Sequence, residues 1–307
     1  MDLAIMTEPQ VGGTYEEILT VARWAEANDL VSFARSDHYY GWGREPKPDA
    51  TDAFATLAGL ARETNRIELA VLVAPFTFRH PAVVLKNATT IDQMSAGRLA
   101  LGVGTGWNEE EHVAYGMPFP PWPERFARLE EGLAYLRAAF DDGRFQGTYY
   151  QLDASVEPKK TGDLPIIVGG SGPKRTLELA GRYADEYNVF VSDPATISAR
   201  VQVLRRSAEA AGRDPDSIRV SVMGPIIAHQ NRFGYEDILA ARAAKRGVSV
   251  ADQELRWRSA FLPIGTTDQV GETLAEFESA GVSRYYVQFV DLPSVDQLDE
   301  AFSGIPR

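Results

Sequence analysis

The sequence predicts an α/β fold, a (β/α)8 TIM barrel with insertions, read as a single domain over residues 1–307. Three observations predict it. Short apolar segments alternate eight times with helical segments, in the strict order that parallel strands and crossover helices require. The strand segments include near-continuous apolar runs such as "RIELAVLV", which suits burial on both faces. A chain of 307 residues fits one such barrel, with no low-complexity linker to divide it. A doubly wound open sheet needs only about six strands and leaves too many here.

Leu3 to Thr7 is the first strand, ending at "EPQVGG". Tyr15 to Ala27 is a helix, since Ile18, Val21, Ala22 and Ala25 share a face. "LVSFARSDH" is the second strand and ends in polar groups at Ser36, Asp37 and His38. "DAFATLAGLARETN" is a helix with Asp49 or Asp52 near its start. "RIELAVLV" is the third strand, and its helix runs from Pro81 to about Met94. "GRLALGVG" and Pro123–Phe140 form the fourth unit. A small hairpin over about 143–160 interrupts the alternation. "LPIIVGG" with "PKRTLELAGRYA" is the fifth unit, and "DEYNVFV" with "PATISARVQVLRRSAEAAG" the sixth. "SIRVSVMGPII" is the seventh strand. A polar, helical insertion without strand signal follows over about 230–262. "TTDQVGETLAEFESAG", "RYYVQFV" and "SVDQLDEAF" complete the eighth turn.

Composition narrows the function. Apolar residues at 44% are enough for a sizeable core. A net charge of -12 argues against nucleic acid or an anionic membrane as partner. The absence of Cys excludes disulfides, thiolate metal sites and a Cys nucleophile. No basic, apolar leader opens the sequence and no run reaches membrane-spanning length, so the expected location is the cytoplasm.

Active sites of such barrels gather at the carboxyl ends of the strands. Those ends carry Asp37-His38, "APFTFRHP", "GTGWNEEE" and "GGSGPKRT". The last of these fits an anion such as phosphate: Gly169, Gly170 and Gly172 let backbone approach a ligand closely, Pro173 suits the first helical turn, and Lys174 and Arg175 add positive charge. A plain Gly-rich turn is the competing reading. His38 can exchange a proton near neutral pH, whereas an Asp-His pair can also merely cap a turn. His80 orders a loop, His112 and His229 stand alone, and no metal site is expected. Glu109, Glu110 and Glu111 start a helix, where carboxylates favour the positive end, and the alternative is that one of them lines the cavity. Trp42 and Trp107 cover a flat ligand or close the barrel mouth.

Taken together, "SDH" at 36–38, the stretch "PFTFRHPAVVLKNATTIDQMSAGRLALGVGTGWNEEEHVAYGMPFP" from Pro75 to Pro120, and "LPIIVGGSGPKRTLELAGRYADEYN" from Leu164 to Asn188 resemble the bacterial-luciferase-like flavin and deazaflavin oxidoreductases. Within that family they are most similar to the coenzyme F420-dependent branch. The resemblance implies hydride transfer between F420 and a small organic, apolar substrate, with His38 as the catalytic group. It places Asp37 and His38 beside the ring, and Thr105, Gly106 and Asn108 at the ring edge or polyol. Gly170, Ser171 and Gly172 hold the phosphate. A non-prolyl cis peptide behind the ring is expected at Val71–Leu72. On this reading the fourth strand ends in glycines so that a flat ring can lie against backbone. Two departures, Trp107 directly after "GTG" and Val191-Ser192-Asp193 after strand six, speak against a glucose-6-phosphate-type substrate. Val11, Trp42, Phe76 and Met223 are expected to shape the pocket. FMN with an O2-dependent monooxygenase reaction is the alternative. A non-catalytic flavin-binding barrel and a phosphate-binding barrel without flavin are the others. A homodimer is expected through the helices after strands two and three, from the resemblance and the small-residue face "AFATLAGLA".

Overall fold

The computed structural model describes residues 1–39, 41, 48–141 and 143–306, so Trp42 lies outside the described residues. In chain order the strands are β1 (Asp2–Thr7), β2 (Ser32–Arg35), β3 (Glu68–Pro75), β4 (Leu99–Gly104), β5 (Arg144–Gln146), β6 (Gln151–Asp153), β7 (Ile166–Gly169), β8 (Glu186–Phe190), β9 (Arg219–Gly224), β10 (Ile227–His229), β11 (Ile264–Thr266) and β12 (Arg284–Phe289). Eight of them close into a parallel barrel in the order β1-β2-β3-β4-β7-β8-β9-β12, with β12 pairing back onto β1 from Asp2↔Arg284 to Thr7↔Phe289. This is the (β/α)8 barrel. β5 and β6 form the antiparallel hairpin.

The insertion differs from its expectation. Besides helices α8 (Arg232–Arg246) and α9 (Val250–Ser259), it is bracketed by the short parallel pair β10–β11. Three residues per strand give too little periodicity to be read from sequence.

The barrel helices are α1 (Tyr15–Ala27), α2 (Ala53–Glu63), α3 (Pro81–Met94), α5 (Trp122–Phe140), α6 (Arg175–Tyr183), α7 (Pro194–Ala210), α10 (Thr267–Ser279) and α11 (Val295–Ser303). A short α4 (Glu109–Ala114) sits on the rim. Their starts follow from side chains that accept free backbone N–H groups. Thr14 and Glu17 form a capping box on α1, as do Ser294 and Gln297 on α11. Asp52 caps α2 and Asp193 caps α7. His80 is the cap of α3, its Nδ1 accepting from Ala82 N at 3.1 Å, ahead of Pro81. Among the described residues no helix is long and apolar enough to cross a membrane.

Side chains alternate across each strand. Ile5, Phe33, Leu69, Leu101, Val168, Tyr187, Val222 and Tyr285 face outward and pack under the helices. Ala4, Met6, Ala34, Ala70, Leu72, Ala100, Ile167, Met223 and Tyr286 fill the lumen. At the amino end the lumen is stoppered by Arg284, which pairs with Glu68 at 2.6 Å and Glu186 at 3.3 Å and donates to Tyr286 Oη at 2.9 Å. The small-residue face "AFATLAGLA" is largely spent inside this chain. Ala53, Phe54, Leu57, Leu60 and Ala61 are buried against the barrel, and Gly59 sits against the Tyr15 ring.

Candidate active site

The alternation sorts the end of β2. Ala34 is a lumen residue, so Ser36 continues the lumen face while Arg35 and Asp37 point away from it. Arg35, fully buried, donates to Ser36 O, Thr51 and Thr56 at 2.8–2.9 Å. Asp37 is 2% exposed and receives Arg79 at 2.5 and 3.2 Å. Arg79 also reaches Asp52 and lies over the rings of Tyr39 and Phe54. Burial pushes the Asp37 carboxyl above the ordinary carboxylate value, and Arg79 pulls it part of the way back. Asp37 is thus held within the wall of the site.

His38 meets a partner from the run of three glutamates that the sequence offers first as a helix start and second as a residue lining the cavity. Its Nδ1 lies 2.8 Å from Glu111 Oε1, while Glu111 Oε2 accepts from Tyr39 N at 3.0 Å. Glu111 is 1% exposed, whereas Glu109 and Glu110 are exposed. A carboxylate only accepts, so Nδ1 carries the proton and Nε2 keeps the lone pair in the neutral ring. Trp107 meets the imidazole edge-on at 5.5 Å and is itself exposed. The available signal was positional: a short helix on the rim turns one side inward, and Glu111-His112 is that side.

His112 is not isolated. It is fully buried, with Nδ1 donating to Asn108 O at 2.6 Å and Nε2 2.8 Å from Thr77 Oγ1. That bond ties the third rim loop to the fourth. Gly106 takes a left-handed φ of +73°, and its carbonyl accepts from Arg125 at 2.6 Å. The Arg125 guanidinium is sandwiched between Phe119 and Trp122. Asn108 is buried on this loop, and among the described residues its Nδ2 has no partner. Thr105 and Gly106 are half-buried on the same loop.

β3 supplies the floor, shifted by one residue from the expectation. The non-prolyl cis peptide is Leu72–Val73, not Val71–Leu72. Val71 belongs to the outward layer, whereas Leu72 and Val73 both join the lumen cluster, and the β3–β4 register slips between Val71 and Ala74. Two successive residues on one side is the signature of a bulge, which period-two reading of an all-apolar run does not locate. A Cβ on Gly102 would lie 2.2 Å from Val71 O. One on Gly104 or Gly169 would lie 2.8 Å from a Val73 methyl. The strand glycines therefore make room for the bulge first, and Gly104 and Gly169 lie against the Val73 side chain. Phe76 does not line the mouth; it packs beneath α5 against Gly132.

The loop at 170–174 precedes α6, which starts at Arg175. Pro173 therefore lies before the helix, not in its first turn, because Lys174 adopts a non-helical φ/ψ. Gly170 has a φ of +147°, and its carbonyl accepts from Tyr187 Oη at 3.0 Å. Unlike α1, α2, α3 and α7, α6 has no side-chain cap, so its first N–H groups remain for another acceptor. Ser171, Lys174 and Arg175 are exposed there.

A wall bulged at β3, a hydrogen-bonded His38–Glu111 pair between the end of β2 and α4, and an uncapped helix after β7 share one rim. Residues 1–284 match the sequence profile of the luciferase-like monooxygenases. The chain belongs to the luciferase-like monooxygenase family. Among curated relatives, the F420-dependent glucose-6-phosphate dehydrogenase of Microbacterium testaceum is 34% identical over 208 residues, covering 66% of this chain and 61% of the relative. The one from Intrasporangium calvum is 37% identical over 169 residues, covering 53% of this chain and 50% of the relative. The chain thus spans about three fifths or less of the length of these relatives. Two solved structures of the fold superpose on 99% of this chain. An F420-dependent secondary alcohol dehydrogenase with an F420–acetone adduct has a TM-score of 0.81 at 19% identity, over 98% of its own length. A monooxygenase from Streptomyces bottropensis has a TM-score of 0.82 at 20% identity, over 97% of its own length. Neighbours of this luciferase-like fold thus include proteins named for either chemistry.

Proposed function

We propose that this protein is an oxidoreductase that moves a hydride between coenzyme F420 and a small organic substrate, with His38 handling the proton and Glu111 positioning it. The observation that carries the reading is the His38–Glu111 pair at 2.8 Å on the carboxyl rim. Such a pair fixes one tautomer and supports the imidazolium when a proton arrives.

The residues present fit a flat, phosphorylated ring system. The orphaned Asn108 Nδ2 suits a ring carbonyl or a polyol hydroxyl, and a buried donor without a partner is a cost that a ligand removes. The shelf of Leu72, Val73, Gly104 and Gly169 suits a ring face. The uncapped start of α6, with Gly170, Ser171 and Gly172, suits a phosphate. When bound, F420 supplies a carbon centre that takes or gives a hydride. Thr105, Gly106 and Asn108 orient the ring edge, and Arg125 and His112 hold those residues in place. Asp37 acts through Arg79 to fix the end of β2, and so positions His38. Trp107 and the exposed Phe190 offer apolar surface to exclude water and to receive the apolar part of a substrate.

F420 is preferred to FMN because the curated relatives at about one third identity are named F420-dependent. Titrating the purified protein with each cofactor tests this. Micromolar or tighter F420 binding, with His38→Ala retaining the cofactor but losing hydride transfer, is expected. Tight FMN binding without F420 binding would replace the reading with the monooxygenase one.

A further inference from the structure

On the side of the mouth opposite the shelf, β12, β1 and β2 end in a second polar group that the scheme above does not use. Glu8 follows β1 and continues the lumen face of Ala4 and Met6. It is 6% exposed. Gln10 Nε2 donates to its Oε2 at 2.7 Å and Gln288 Nε2 to its Oε1 at 2.8 Å. Ser36 Oγ in turn donates to Gln10 Oε1 at 2.7 Å, which fixes the orientation of that amide. Among the described residues no cation lies within ion-pair distance of Glu8, and the buried Arg35 guanidinium acts on it only through space.

A buried carboxylate held by two neutral amides is an expensive way to fill space; Leu or Met would serve a purely structural role better. The barrel does not need the side chain for closure. Backbone bonds already hold this segment: Glu8 N to Phe289 O, Val11 N to Glu8 O and Ser36 N to Thr7 O. A carboxylate accepts about four hydrogen bonds, and the two amides use half of that capacity. Ala4, Met6, Ala34 and Tyr286 fill the lumen below, so the mouth is the direction from which a further donor can arrive.

We propose that Glu8 is a specificity-determining residue that accepts a hydrogen bond from a hydroxyl or ammonium group of the substrate. This rests on the mouth being the substrate site of the oxidoreductase proposed above. It narrows the substrate class from an apolar molecule to one that carries at least one donor. A purely hydrocarbon substrate would leave the carboxylate desolvated and unanswered.

The test measures binding of three probes of one shape by ligand-observed NMR, with the F420-loaded full-length protein and with the protein alone. The probes are cyclohexanol, cyclohexylammonium and cyclohexanone, of which the ketone only accepts. Cyclohexanol and cyclohexylammonium are expected to bind about tenfold or more tighter than the ketone, the size of one hydrogen bond to a charged acceptor. Glu8→Leu should bring the three together. Glu8→Gln, which keeps the shape, should lose the ammonium preference most. Equal binding of the three to wild type, a preference that survives Glu8→Leu in a folded protein, or no binding of any probe would overturn the proposal. Failure of F420 to bind while the Glu8-dependent preference persists would instead strike the cofactor reading and leave Glu8 in place.

Discussion

Replacing Arg79 by Met removes the counter-charge of Asp37 and keeps most of the apolar stem that packs on Tyr39 and Phe54. Asp37 is 2% exposed and has no water to turn to. Breaking a buried pair from one side costs about 3–5 kcal/mol, since the remaining charge loses its direct partner and keeps only the through-space pull of Arg35. At roughly 2 °C per kcal/mol for a domain of this size, Tm should fall by about 6–10 °C. The loss has a pH signature. Burial raises the Asp37 carboxyl above its unfolded value, and Arg79 opposes that rise. A carboxyl raised on folding favours the fold fully only below its unfolded value near pH 4, and that contribution disappears as pH climbs through the folded value. Without Arg79 the folded value climbs further. The deficit of Arg79→Met against wild type should therefore be greatest near pH 7 and shrink as pH falls toward 4. Adding Asp37→Asn should restore at least half of it at pH 7. Urea titrations of the three proteins at several pH values read this directly. A loss below about 1 kcal/mol, or no recovery on adding Asp37→Asn, would refute the argument that Asp37 is a wall residue held by Arg79.

Three further outcomes follow from the same geometry. Glu111→Gln should shift the His38 proton from Nδ1 toward Nε2, visible in imidazole nitrogen chemical shifts, and lower kcat/KM about ten- to a hundredfold while F420 affinity holds. Gly104→Ala places a Cβ 2.8 Å from a Val73 methyl and should cost about 1–3 kcal/mol in urea unfolding, with Val73→Ala in the same chain recovering most of it. His80→Ala removes the acceptor for Ala82 N and should cost about 1 kcal/mol at neutral pH. Because burial lowers His80 below its ordinary value of 6.5, its contribution is present above pH 6.5 and is lost as pH falls through the folded value, so the two proteins should converge in acid melts.

The barrel was legible because its information is repetitive. Eight apolar segments separated by amphipathic helices leave few alternatives, and one helix start carried its own mark at Asp52. What escaped depends on contacts between distant segments. Glu111 lies in a run of three glutamates whose local pattern does not say which of them turns inward; that is settled by the end of β2, which brings His38 alongside from 73 residues away in sequence. Glu8 could not be weighed until Gln10 and Gln288 were seen to hold it. The bulge at Leu72–Val73 lies inside an unbroken apolar run, where alternation gives no register. Pro173 failed for a local reason: a proline that fits a first turn fits the loop before it equally well.

The Arg284 stopper at the amino end turns the barrel into a cup with one opening. With the lumen above it also filled by side chains, only the carboxyl rim is left open. On the proposed reading a substrate and a coenzyme would share that doorway, and whichever sits deeper would leave last.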